Sequence, residues 1–158
     1  MRKIKIICLG KLREKYLQEA VQNYLKMLSK FAKVEIIEIA DVTTFNEPNA
    51  AEIEIILSKE AEKIAGALKG SKNICCLCVE GDQKTSEQFA DYIADAGNIS
   101  SELTFVIGGS YGISREIKEH YDKISFSKMT FPHALMRVIL LEQIYRAFKI
   151  NNNETYHK

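Results

Sequence analysis

No apolar run in the chain approaches the ~18 residues that a membrane-spanning helix needs, and the positively charged start Met1-Arg-Lys-Ile-Lys is followed only by the short run Ile6 to Leu9. That run is too short for a signal peptide, so a cytoplasmic protein without membrane contact is expected. No charge of one sign dominates either. Lys and Arg number 22 against 21 Asp and Glu, a net +1, which argues against a protein that coats nucleic acid generally. Any RNA contact has to come from a local patch, or from two patches combined in a dimer. Internal repeats, low-complexity segments and linkers are missing, and 158 residues at 46% hydrophobic and 27% charged read as a single globular domain, 1–158. Metal-ligand spacing is missing too. The four cysteines Cys8, Cys75, Cys76 and Cys78 all fall in predicted strands. Vicinal Cys75 and Cys76 point to opposite faces of a strand, and a strand lacks the turn that would join Cys75 to Cys78. The bland reading is small buried hydrophobes in a reducing compartment, with no metal. The phosphate-cradling loop Gly-x-x-x-x-Gly-Lys-Ser/Thr and the dinucleotide fingerprint Gly-x-Gly-x-x-Gly are absent as well, which counts against phosphate binding and against a nucleotide-using oxidoreductase.

What is present alternates. Strands are predicted at Lys3–Leu9, Val34–Ile39, Ile74–Val79 and Leu103–Ile107, with a short one near Ile124. Helices are predicted from Arg13 to about Leu28, over Ala50–Leu68, from the capping-box pattern Thr85-Ser-Glu-Gln88 to about Ala96, and over Pro132–Lys149. Asp41 to Pro48 reads as a polar connection with a turn at Asn46-Glu47-Pro48, Glu80-Gly81-Asp82 as the exit from the third strand, and Gly97-Asn98 as a helix stop. The alternation predicts an α/β fold, a mostly parallel sheet with helices on both faces. Ligands of such sheets bind outside the carboxyl ends of the strands. The last helix is apolar on every side at Val138-Ile-Leu-Leu141, so it is covered on more than one side, by its own chain or by a second protomer.

Two of those strand ends face each other in composition. Leu103 to Ile107 breaks off at Gly108-Gly109-Ser-Tyr-Gly112, where glycine lets the backbone come close to a partner. The strand near Ile124 opens into Phe126-Ser-Lys-Met-Thr-Phe131, and Pro132 then begins the last helix. Phe126, Met129 and Phe131 are either ordinary core or the apolar walls of a pocket between the two loops. Of the three histidines, His120 sits among Lys118, Glu119 and Asp122 and reads as exposed. His133 and Arg137 share one face at the start of the last helix, and His157 lies in the tail, where most chains are disordered. The cations Arg2, Lys3, Lys5, Lys11, Arg13 and Lys15 form either a solvated face or a second RNA patch.

The ordered set Ile-Gly-Gly-x-x-Gly, then Ser-x-Met-Thr-Phe-Pro-His-x-Leu-x-Arg-Val, then a terminal Tyr-His, resembles one bacterial family over essentially the whole chain. It is the family of large-subunit ribosomal RNA pseudouridine N3-methyltransferases (RlmH type) in the SPOUT superfamily. The resemblance implies a C-terminal trefoil knot, S-adenosyl-L-methionine as cofactor, a homodimer, and 23S rRNA in the assembled ribosome as partner. It also implies that Leu77, Gly108, Gly109 and the loop Phe126, Ser127, Lys128, Met129, Thr130 and Phe131 hold the cofactor. His157, Tyr156 and Arg137 are then the expected catalytic groups, with His133, Arg137 and Lys158 on the RNA. Two departures stand out: Cys78 occupies a position where the family often has an acid, and Lys158 one where it usually has arginine, which loses bidentate phosphate recognition. A non-catalytic ribosome- or RNA-binding module with a vestigial pocket is the rival reading, and cofactor binding separates the two.

Overall fold

The computed structural model describes residues 2–42 and 45–158. Its centre is β1 (Arg2–Leu9), whose last six residues are all buried. A strand buried on both faces needs neighbours on both edges. They are β2 (Ala32–Ile39) and β4 (Glu102–Ile107), each paired in parallel with β1. Beyond β4 lie β3 (Ile74–Gln83) and then β5 (Asp122–Ser125), giving the order β2-β1-β4-β3-β5. Every pairing is parallel.

Parallel strands require covering layers on both faces. The helices α1 (Lys15–Leu28), α3 (Ser86–Ile99) and α5 (His133–Asn151) cover one face over Ile4, Ile6, Cys75, Phe105 and Ile124. The helices α2 (Ala50–Ala67) and α4 (Arg115–His120) cover the other over Ile7, Leu9, Cys76 and Val106. Cys75 and Cys76 thus straddle the sheet. Both are fully buried, and burial pushes each thiol up to about 12. All four cysteines are free.

Three local expectations need correction. The segment Glu80-Gly81-Asp82 does not leave the sheet: β3 continues to Gln83, and its register against β5 shifts between Leu77 and Asp82. A Cβ on Gly81 would lie 2.6 Å from the Ile124 carbonyl carbon, so glycine here admits the neighbouring strand rather than a turn. Gly97-Asn98 does not stop α3, which runs on to Ile99. Gly97 leaves room instead for the Arg2 guanidinium, since a Cβ there would lie 1.7 Å from Arg2 Nη2. Pro132 is the N-cap of α5 rather than its first turn, and α5 extends to Asn151. The capping box on α3 is present: Thr85 Oγ1 accepts from the Gln88 N–H and the Gln88 side chain accepts from the Thr85 N–H. Asn49 and Glu52 make a second one on α2, absent from the sequence reading. In the polar connection 41–48, Thr43 and Thr44 lie outside the described residues, while the chain bends at Asn46 and Glu47, with Glu47 at φ 47°.

Candidate active site

The carboxyl ends of β3, β4 and β5 converge on a cleft of about 740 Å³. After β4 the chain makes a tight turn, with the Gly112 N–H donating to the Gly109 carbonyl at 3.1 Å and Gly112 at φ +80°. A Cβ on Gly108 would sit 2.5 Å from the Gly112 carbonyl. The turn therefore closes only on glycine at 108, and its bare backbone forms one wall.

The opposite wall is the loop after β5. Ser125 Oγ donates to the Ser127 carbonyl and Ser127 Oγ accepts from the Met129 N–H, both at 2.9 Å, so two hydroxyls hold the loop's shape. Phe126 anchors it from below, edge-on to Phe89 with centroids 5.6 Å apart. Met129 is 73% exposed and Phe131 36%, which answers whether they are core. Both stand on the cleft rim, and Ser127 and Thr130 line it beside them. Leu77, 9% exposed, supplies the floor from β3. Of the loop residues expected to hold a cofactor, only Lys128 lies outside the lining; it is exposed.

The catalytic and RNA-binding candidates divide. His133 lines the cleft. Arg137 does not: it is 2% exposed and donates to Glu38 Oε2 and to the Gly10 carbonyl, each at 2.6 Å, while its Nε has no partner. The guanidinium faces inward and reaches from α5 to Glu38 of β2 and to Gly10 just after β1. Within this chain Arg137 is thus a tie between elements, not a free phosphate contact. Tyr156 and His157 are also away from their own chain's cleft, and they are docked rather than loose. The Tyr156 ring meets Tyr145 edge-on at 4.9 Å and lies under Arg146 at 4.8 Å, and its hydroxyl donates to Glu142 Oε1 at 3.2 Å. Burial, with Glu142 adding to it, pushes that phenol up to about 12. His157 Nε2 lies 2.7 Å from Glu87 Oε1, and Nδ1 lies 3.3 Å from Arg146 Nη1. The Glu87 carboxyl is held below its usual range, first by its own backbone N–H and then by His157. Lys158 is exposed, as is His120. Of the N-terminal cations, Lys5 is buried and donates to Ser71 Oγ at 2.9 Å, so it belongs to no surface patch.

Three side chains of the lining outside the expected site positions bear on its chemistry: Cys78, noted in the sequence only as a departure from the family pattern, and the charged residues Glu80 and Lys118. Cys78 forms part of the β3 wall, and burial raises its thiol. Glu80 and Lys118 are ion-paired on the same wall. No sequence spacing links β3 to α4; only the pairing of β3 with β5 brings them together. Among the described residues no group of His, Cys, Asp or Glu is arranged to hold a metal, and no helix is long and apolar enough to cross a membrane.

A parallel α/β sheet with a glycine-walled, largely apolar cleft at its strand ends defines a small-molecule-binding protein of the open-sheet class. The model of the family described as "Predicted SPOUT methyltransferase" matches residues 2–157. The chain is 49% identical over 159 residues to the ribosomal RNA large subunit methyltransferase H of Bacillus cytotoxicus and 52% identical over 157 residues to that of Bifidobacterium animalis subsp. lactis. Each alignment covers 98% of this chain and 99% of the relative. Among solved structures, TrmJ from Z. mobilis ZM4 superposes with a TM-score of 0.52 at 11% identity, over 90% of this chain and 69% of that one, a likeness of fold. The chain belongs to the SPOUT methyltransferase family.

Proposed function

We propose that this protein is a cytoplasmic S-adenosyl-L-methionine-dependent methyltransferase of large-subunit ribosomal RNA. Its target is N3 of a pseudouridine in 23S rRNA on assembled ribosomes, and it works as a one-domain homodimer. The observation that carries the reading is the cleft itself: Leu77, the Gly108 turn and the 126–131 loop except Lys128, the positions that the family resemblance points to, line one cavity. The near-full-length relatives named as large-subunit methyltransferases support the substrate class. The trefoil knot follows from family membership.

The cavity suits the cofactor. Its volume is that of a site for a drug-sized ligand, its glycine wall accepts a close ribose, and loop backbone groups and apolar rim residues suit an adenine. When bound, the cofactor supplies an electrophilic methyl group on a sulfonium. The chain's own work is to bind, orient and deprotonate. Gly108 and Gly109 give backbone access, and Leu77, Phe126 and Phe131 exclude water. The acceptor N3–H must lose its proton at or before attack, and His157 takes it. Nε2 lies against Glu87 and Nδ1 against the Arg146 guanidinium, so these two side chains hold the ring, and Nδ1 serves as the basic nitrogen once the substrate displaces its Arg146 contact. Tyr156 aligns the uracil ring beside it.

Because the tail contacts α3 and α5 and not its own cleft, the base serves the cleft of the second protomer. Leu135 and Ile139, one turn apart and half-buried on α5, support such a contact. His133 and Lys158 are the RNA contacts. Arg137 acts through α5, by holding its first turn against β1 and β2.

The test is transfer of labelled methyl groups to intact ribosomes, separated large subunits and free 23S rRNA from a strain lacking the enzyme. Label at N3 of one pseudouridine, strongest on intact ribosomes, is the expected result. Ribosome binding without cofactor binding or transfer would replace the enzyme with a binding module.

A further inference from the structure

Among the described residues, the cleft lining contains two side chains of fixed charge, Glu80 and Lys118, and they are paired with each other. Glu80 comes from the extended end of β3 and is 53% exposed; Lys118 comes from α4 and is 21% exposed. The hydrogen bond from Lys118 holds the Glu80 carboxyl below its usual range, so it is ionised at neutral pH. Lys123 Nζ donates to the Lys118 carbonyl at 3.1 Å, which fixes the end of α4 beneath the pair. A solvent-reached ion pair adds little to fold stability, so stability is a weak reason for one on the wall of a cleft with no other side chain of fixed charge.

Ligand chemistry is a stronger reason. An adenosyl sulfonium carries two unlike ends, a flat nucleoside and a zwitterionic amino acid. The glycine turn and the part of the 126–131 loop that lines the cleft offer the first end backbone and apolar surface, and nothing charged, Lys128 lying outside the lining. We infer that Glu80 and Lys118 form the subsite for the amino-acid end, Lys118 Nζ taking the ligand carboxylate and Glu80 the ligand ammonium. Lysine has three donors and a carboxylate has two acceptor oxygens. The ligand's two charges therefore complete a ring of alternating sign without displacing the existing pair. The subsite would select adenosyl ligands that carry an amino acid over those that lack one. This inference rests on the cofactor reading above.

Calorimetry on the full-length protein tests it with two probes, S-adenosylhomocysteine and 5′-deoxy-5′-methylthioadenosine, which lacks the amino-acid end. The parent should bind S-adenosylhomocysteine the more tightly. Lys118→Met should weaken S-adenosylhomocysteine about 10-fold or more, as expected for losing a charge-assisted hydrogen bond. It should leave methylthioadenosine within about twofold, since that probe does not reach the pair. Lys118→Arg should keep most of the affinity. The exchange Glu80→Lys with Lys118→Glu preserves an ion pair, and the melting temperature with it, but should not restore S-adenosylhomocysteine binding. Equal weakening of both probes by Lys118→Met, or full recovery in the exchanged pair, would assign the two residues to structure alone. A parent that binds both probes with a Lys118→Met variant unchanged defeats this inference only. A parent that binds neither defeats the cofactor reading and this inference together.

Discussion

Arg137 turns its guanidinium inward. Its two hydrogen bonds at 2.6 Å reach Glu38 on β2 and the buried Gly10 carbonyl at the end of β1. Lysine at 137 cannot reproduce that fork, so Arg137→Lys should destabilise the protein by about 1–3 kcal/mol, the cost of leaving a buried acceptor unpaired. The partner sets a pH signature. Burial pushes the Glu38 carboxyl up, but the hydrogen bonds from Arg137 and from the Leu12 N–H outweigh it and hold the carboxyl below its usual range. A depressed carboxyl stabilises the fold fully above the unfolded-state pKa of about 4.3 and loses that contribution as pH falls through the folded value. Denaturant unfolding of Glu38→Gln should therefore show a deficit at pH 7 that narrows progressively below about pH 4. A deficit that stays constant into acid would remove the ion pair from the account. That Arg137 is buried was not legible in the sequence. Its amphipathic position beside His133 pointed outward, and its acceptor lies 99 residues earlier.

At the scale of elements, composition was informative wherever burial was two-sided. Ile6 to Leu9 of β1 and most of Leu103 to Ile107 of β4 read as apolar because central parallel strands face a helix layer on each side. Composition misled at the glycines. Gly81 and Gly97 carry the marks of a turn and a helix stop, yet each is a contact point for a distant segment, Ile124 or Arg2. The second case can be measured. In a helix, alanine is worth up to about 1 kcal/mol over glycine. Here the new Cβ would displace the Arg2 guanidinium, which donates to the Ile93 carbonyl at 2.6 Å and lies 6.0 Å from the Phe148 ring centroid. Gly97→Ala should thus be near neutral in the parent and stabilising by about 1 kcal/mol in an Arg2→Ala background. Equal effects in the two backgrounds would show that Arg2 is not what holds the glycine in place. The cofactor loops were legible as a motif, but the docking of Tyr156 and His157 was not, because their partners Glu142, Tyr145 and Arg146 on α5 and Glu87 on α3 are brought together only by the packing of those two helices.

At the scale of the molecule, one protomer separates the two halves of the proposed chemistry. The cleft lies at the ends of β3, β4 and β5, while His157 sits against Glu87 and Arg146 on the α3–α5 face. If catalysis joins the tail of one chain to the cleft of another, each chain can be disabled in a different half. Gly108→Ala places a Cβ 2.5 Å from the Gly112 carbonyl and should abolish cofactor binding while leaving the tail intact. Deleting residues 156–158 removes the base and leaves the cleft intact; dimerisation and cofactor binding should survive nearly unchanged, and methyl transfer should fall by at least ~100-fold. Each variant alone should therefore be inactive on ribosomes. Mixed, unfolded and refolded together, they should assemble mixed dimers in which one of the two sites pairs a good cleft with a good tail. With random pairing in a symmetric dimer, about a quarter of all sites are then complete, and labelled methyl transfer should return to about that fraction of the parent rate. A control that puts both changes in one chain and refolds it with the parent should also leave about a quarter of sites working if sites are shared, but about half if each chain is self-sufficient. Failure of the two single variants to complement, together with half activity in the control, would return the tail to its own cleft and require a rearrangement of the last three residues on substrate binding.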